Sequence, residues 1–206
     1  MSETVPESAA RPVQEIVVVS GLPRSGTSMM MRMLDAGGMP ILTDYVRTAD
    51  EDNPRGYYEF ERVKRLRADQ SWLPEAVGKA VKIISFLLES LPGGYFYRVL
   101  FMQRSLPEVL ASQRKMLERR GMPVADPGAD DRRMTELYLR HLSHTVRWLQ
   151  NRPNMRVMPV GHLDAIADPA AAARRVNAFL GGRLDEAKMA AAVDRDLHRQ
   201  RHPDGK

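Results

Sequence analysis

Residues 15–34 read EIVVVSGLPRSGTSMMMRML: a β-branched apolar run, a loop with two glycines and a proline, and then a run of helix formers. Residues 15–20 carry almost no polar interruption. A strand with one wet face would alternate, so this one is buried on both faces, as parallel strands are. Such a strand needs helices packed above and below it. The remainder of the chain offers them in the same rhythm. Further strands are expected at 80–85 (AVKIIS), 96–103 (FYRVLFMQ) and 155–160. Helices are expected at 29–36, 58–69, 107–120, 168–180 and 185–193, and a long one after 131 whose stripe is Met134, Leu137, Tyr138, Leu142, Trp148 and Leu149. Gly37-Gly38, Gly121 and Gly181-Gly182 stand where helices stop, and 44–56 and 124–131 read as loops. Alternating strands and helices define an α/β fold, a three-layer α/β/α arrangement around a central parallel sheet. Residues 1–13 read as a flexible N-terminal tail, and 14–206 as a single domain.

Composition removes several classes. With no cysteine the chain has no disulfide, thiolate zinc site or cysteine nucleophile. No apolar run approaches the roughly 18 residues that cross a bilayer, so no membrane insertion is expected. Residues 1–10 hold Glu3 and Glu7 and no apolar stretch, so no secretory leader is expected there, and the expected compartment is the cytoplasm. The formal charge of +5 suits an anionic small molecule and is too small for a nucleic-acid-binding surface. Basic residues crowd two stretches, Arg98 to Arg120 and Arg195 to Arg201. Met29-Met30-Met31 is expected as core filling.

The strand–loop–helix at 15–34 is the context a phosphate loop requires. Glycines let the backbone approach an anion, and the helix N-terminus contributes partial positive charge. Against the pattern G-x-x-x-x-G-K-[ST], Gly21, Gly26 and Ser28 fit, while Thr27 stands at the lysine position. The loop's cation is Arg24, which stays charged and grips two oxygens at once. The domain is thus of P-loop type, with Gly21, Pro23, Arg24, Ser25, Gly26, Thr27 and Ser28 as the candidate anion-binding loop. A second candidate is Arg104, ending the strand at 96–103, with Ser112 early in the next helix.

GLPRSGTS and its helix resemble the 5′-phosphosulfate loop of PAPS-dependent sulfotransferases, in particular the arginine-containing version of the tyrosylprotein sulfotransferase branch and small bacterial relatives. Residues 101–112 (FMQRSLPEVLAS) are similar to the family's 3′-phosphate motif, although Ser105, Pro107 and Glu108 replace its commonest residues. Residues 81–85 (VKIIS) are similar to the segment where a lysine precedes the usual catalytic histidine, but here Ile84 and Ser85 occupy the histidine's neighbourhood.

The resemblance implies sulfuryl transfer from PAPS to a hydroxyl or amine, leaving PAP, with no metal. It implies that Arg24 and residues 25–28 hold the phosphosulfate, that Lys82 offsets developing charge, and that Arg104 and Ser112 hold the 3′-phosphate. The base is Glu59 or Asp44. The acceptor, whether small molecule, glycan or peptide, is left open. Alternatives are a non-catalytic nucleotide-binding relative and a P-loop kinase or NTPase, the latter opposed by Thr27 at the lysine position. His141 and His144, at i and i+3, read as hydrogen-bonded core histidines rather than a metal pair, and His162 as structural. Arg199 or Arg201 is a candidate to close over the nucleotide.

Overall fold

A computed structural model describes residues 14–44, 46, 56–122 and 126–194. Four strands make one sheet: β1 (Glu15–Gly21), β2 (Ala80–Lys82), β3 (Phe96–Gln103) and β4 (Met155–Gly161). Their order is β2-β1-β3-β4, and every pairing is parallel. Val19 faces Lys82 across one side of β1, and Gly21 faces Met102 across the other.

Period-two alternation splits β1 between two cores. Ile16 and Val18 join Leu66, Trp72, Val81, Leu88 and Leu149 on one face. Val17 and Val19 join Met30, Met31, Leu34, Ala173, Val176 and Met189 on the other. Helices α1 (Thr27–Ala36), α5 (His162–Ala167), α6 (Pro169–Leu180) and α7 (Glu186–Ala191) supply the second core. The first is covered by α2 (Leu73–Ala76), the end of α4 (Pro127–Gln150) and the segments around β2. This is the expected three-layer parallel α/β/α arrangement. The methionines of α1 fill core, with Met30, Met31 and Met33 fully buried.

Several local expectations need correction. Residues 58–69 do not form an α-helix. Tyr58 has φ +51°, and only Glu61–Arg65 winds, as a 3₁₀ turn. The Asp44 carboxylate accepts from the Glu61 N–H, and Arg62 bonds Asp69 and Ser71, so side chains close this segment into a short turn. The strand at 80–85 ends at Lys82, and a 3₁₀ helix (Ser85–Ser90) follows. Helix α4 begins at Pro127, inside the stretch read as loop, because Asp126 caps it by accepting from Ala129 N–H. In the α4 stripe Leu137 is 42% exposed, whereas Thr145 is fully buried. The four-residue α2 and the six-residue α5 went unanticipated. The other expected elements are present, among them α3 (Leu106–Arg119) and α6, which ends at Gly181 in the left-handed region. Most of the 44–56 loop and the basic stretch from Arg195 lie outside the described residues.

Candidate functional site

In an open parallel sheet, ligands bind beyond the carboxyl ends of the strands where the chain switches direction across the sheet. Here β1 has β2 on one side and β3 on the other, so the switch point lies between β1 and β3. The loop after β1 and the residues after β3 meet there.

The loop is shaped by three left-handed residues. Gly21 and Gly26 have φ +147° and +100°, and Arg24 has φ +71° although it carries a side chain. The glycines are also sterically required. A Cβ on Gly21 would stand 2.5 Å from Ser25 Oγ and 2.7 Å from the Met102 carbonyl, and one on Gly26 would stand 2.5 Å from His162 Cδ2. Helix α1 starts from Gly26 with no side-chain cap. Its first N–H groups are those an α-helix cannot satisfy internally. The Ser25 hydroxyl, in a residue 1% exposed, has no protein hydrogen-bond partner. A buried unsatisfied hydroxyl beside an uncapped helix start is a donor set that fits a phosphate or phosphosulfate oxygen.

Arg24, Arg104 and Ser112 come together. Arg24 Nε donates to Ser112 Oγ at 3.0 Å, and Arg104 Nη1 donates to the Arg24 carbonyl at 3.1 Å. Arg104 Nε also donates to Glu108 Oε2 at 2.9 Å, with both side chains buried. Sequence reasoning noted Glu108 only as a departure from the family's commonest residue and gave it no partner. Its signal was present, since Arg and Glu four residues apart around the first turn of α3 fall on one side of the helix.

Lys82 ends β2 and reaches the same place. Its Nζ lies 3.4 Å from Ser28 Oγ and 3.4 Å from Glu59 Oε1, and it donates to the Tyr57 carbonyl. The ammonium side chain is 8% exposed and Glu59 21%. Asp44 is engaged differently: Oδ1 accepts from Val46 N–H at 3.1 Å and Oδ2 from Glu61 N–H at 2.6 Å. It stays tied to Glu59 through backbone, because Asp44 N–H donates to the Glu59 carbonyl, as does the Thr43 hydroxyl. The Tyr57 carbonyl and the packing of His162 on Gly26 had no sequence signal.

His141 is half-buried, its Nε2 2.8 Å from the buried Ser85 hydroxyl and its ring stacked on Phe86. Burial pushes its pKa below the ordinary 6.5, against the opposing charge of Glu89. His144 is exposed and pairs with Glu89 at 2.8 Å. Among the described residues no group of three His, Cys, Asp or Glu side chains is placed to hold a metal ion. No described helix is long and apolar enough to cross a membrane.

The sheet defines a three-layer α/β protein, with a glycine-shaped loop and the side chains of Arg24, Arg104 and Lys82 at the ends of its parallel strands. Solved structures refine that class. The sulfotransferase domain of the Synechococcus PCC 7002 olefin synthase matches 94% of this chain and 82% of its own at 15% identity, with a TM-score of 0.53. The sulfotransferase domain of the curacin biosynthetic pathway matches 93% of both chains at 15% identity, with a TM-score of 0.51. The chain therefore has the fold of sulfotransferase domains. No protein-family model matches it, and no curated protein matches it by sequence.

Proposed function

We propose that this protein is a sulfotransferase that moves a sulfuryl group from a PAPS-type phosphosulfate nucleotide to the hydroxyl or amine of an acceptor. The observation that carries the reading is the Lys82 ammonium, 3.4 Å from both the Ser28 hydroxyl and the Glu59 carboxylate, beside the uncapped start of α1. When bound, the donor supplies the sulfuryl group and a 5′-phosphate leaving group.

The loop backbone from Gly21 to Ser28 and the Arg24 guanidinium would hold the phosphosulfate. Arg104 and Ser112 would take the 3′-phosphate at the adjacent strand end. As the acceptor oxygen bonds to sulfur, the bond from sulfur to the phosphate oxygen breaks and negative charge grows on that oxygen. Fixed cations stabilise such charge best in a water-poor site, and Lys82 is the buried cation there. The acceptor's proton must leave, and Glu59 is the carboxylate in place to take it. Asp44, with both oxygens on backbone N–H groups, orients the segment that carries Glu59. The acceptor that offers this hydroxyl or amine is a small molecule, glycan or peptide.

Calorimetric titration with adenosine 3′,5′-bisphosphate, without metal, tests the reading, with ADP and Mg²⁺ as control. Tight metal-independent binding, lost in Arg24→Ala and Arg104→Ala, supports it. Binding of ADP only with Mg²⁺ overturns it in favour of a kinase or NTPase. Nucleotide binding with no turnover on any acceptor points to a non-catalytic relative.

A further inference from the structure

Glu108 is a carboxylate buried to 5% exposure, four residues beyond Arg104, the residue that follows β3. A buried charge of this kind is costly unless paired, and pairing it with Arg104 consumes part of that arginine's attraction for an outside anion. A cradle built only to attract anions would place an apolar side chain there. The geometry gives Glu108 another use. Its Oε2 takes Arg104 Nε at 2.9 Å, and the same planar guanidinium sends Nη1 to the Arg24 carbonyl at 3.1 Å. The guanidinium fork is rigid, so fixing one edge aims the other. That aimed edge falls on Arg24, which is held at φ +71° in a region where a residue with a side chain pays a conformational penalty.

We propose that Glu108 is a positioning residue for the phosphate loop: through Arg104 it pins the Arg24 carbonyl and so keeps the loop in its anion-accepting shape. The inference rests on the reading of residues 21–28 as an anion site, and it places the control of that site in α3, some eighty positions away in sequence. Glu108 touches no ligand in this scheme.

The test is calorimetry on the full chain with two probes, inorganic pyrophosphate for the loop and adenosine 3′,5′-bisphosphate for both anion positions, alongside thermal unfolding. Glu108→Ala is expected to weaken both probes by about tenfold or more, the factor associated with losing a charge-assisted hydrogen bond. Glu108→Gln keeps an acceptor at the same place and is expected to stay within about threefold of wild type, since geometry rather than charge is the role. Arg104→Lys, which keeps the charge but loses the fork, is expected to behave as Glu108→Ala does. A merely structural role would lower the melting temperature and leave the affinities of the folded protein unchanged. Unchanged or tighter pyrophosphate binding in folded Glu108→Ala overturns the inference. Should that variant not fold, an Arg104→Lys protein with wild-type pyrophosphate affinity overturns it instead. A wild-type protein that binds pyrophosphate but gains nothing from a 3′-phosphate counts against the PAPS reading, and the pyrophosphate arm then decides Glu108 alone. Binding of neither probe by the wild type overturns both.

Discussion

The ends of β1 and β2 lie side by side in the sheet and deliver groups to the same place by different means. At the end of β1 the backbone is the working part. Gly21, Gly26 and the start of α1 are local in sequence, and glycine is needed because a Cβ would meet Ser25, Met102 or His162 at about van der Waals-forbidden range, 2.5–2.7 Å. At the end of β2 side chains are the working part. Lys82 meets Ser28, Tyr57 and Glu59, which arrive from two other segments and are held together only by the finished fold. A loop shaped by backbone is a local property of a short stretch, whereas a cluster of side chains is assembled from distant pieces whose order in the chain is free.

The sharpest way to break the comparison is Glu59→Gln. If the composite end performs the chemistry and the loop performs the binding, turnover falls by about 10²–10⁴-fold while affinity for adenosine 3′,5′-bisphosphate changes little. Parallel turnover assays and calorimetry read the split, and equal losses in both would merge the two regions into one. Next in size is Gly26→Ala. The added methyl meets His162 at 2.5 Å in a left-handed residue, so a loss of about 1–3 kcal/mol in stability is expected together with loss of nucleotide binding. Denaturant unfolding and titration of the same preparation check it.

Asp44→Ala sharpens the other side. It removes the acceptor for Val46 and Glu61 N–H groups, and a loss of about 1 kcal/mol is expected by analogy with a helix cap. Turnover should fall modestly as the Glu61 N–H, two residues beyond Glu59, loses its acceptor, with nucleotide affinity retained. A collapse of turnover as deep as that of Glu59→Gln would transfer the base role to Asp44.

The smallest effect concerns His141, just beyond the β2 end. Its folded pKa is depressed, chiefly by burial, so the unfolded chain takes up the proton first as pH falls. Its contribution to stability is therefore present above the ordinary value of 6.5 and is lost as pH falls from there toward the folded value. Melting temperatures should decline below about pH 6.5, and His141→Gln should flatten part of that decline. A slope identical in the two proteins would remove His141 from the account.

The same contrast explains what could be read from the chain. The parallel α/β/α architecture, β1, β3, β4 and the loop at 21–28 were legible because each is a run of neighbours whose pattern states its environment. Lys82 was read as part of a strand at 80–85, and the strand ends on it, with a 3₁₀ helix following at Ser85–Ser90. Sequence sets Glu59 only slightly ahead of Asp44, since the feature separating them is which partners their oxygens meet across the fold, Lys82 for one and backbone N–H groups for the other. The helix expected at 58–69 failed for a related reason. Side chains close the segment into a turn, the Asp44 carboxylate accepting from the Glu61 backbone N–H and Arg62 donating to Asp69, so helical spacing was no guide to conformation. Asp69 accepts hydrogen bonds from Ser71 and Arg62, which hold its carboxyl down at about 2.

The left-handed Arg24 has a consequence for anyone improving this protein. A non-glycine residue there costs about 1 kcal/mol of backbone energy, so Arg24→Gly would relieve strain in the fold while discarding the loop's own guanidinium. Where that relief outweighs the lost Arg24–Ser112 hydrogen bond, selection for heat resistance alone would drift toward glycine, and a library sorted by melting temperature would enrich proteins lacking the loop's cation. Robustness and chemistry pull in opposite directions at that residue, and any directed-evolution scheme has to score both at once.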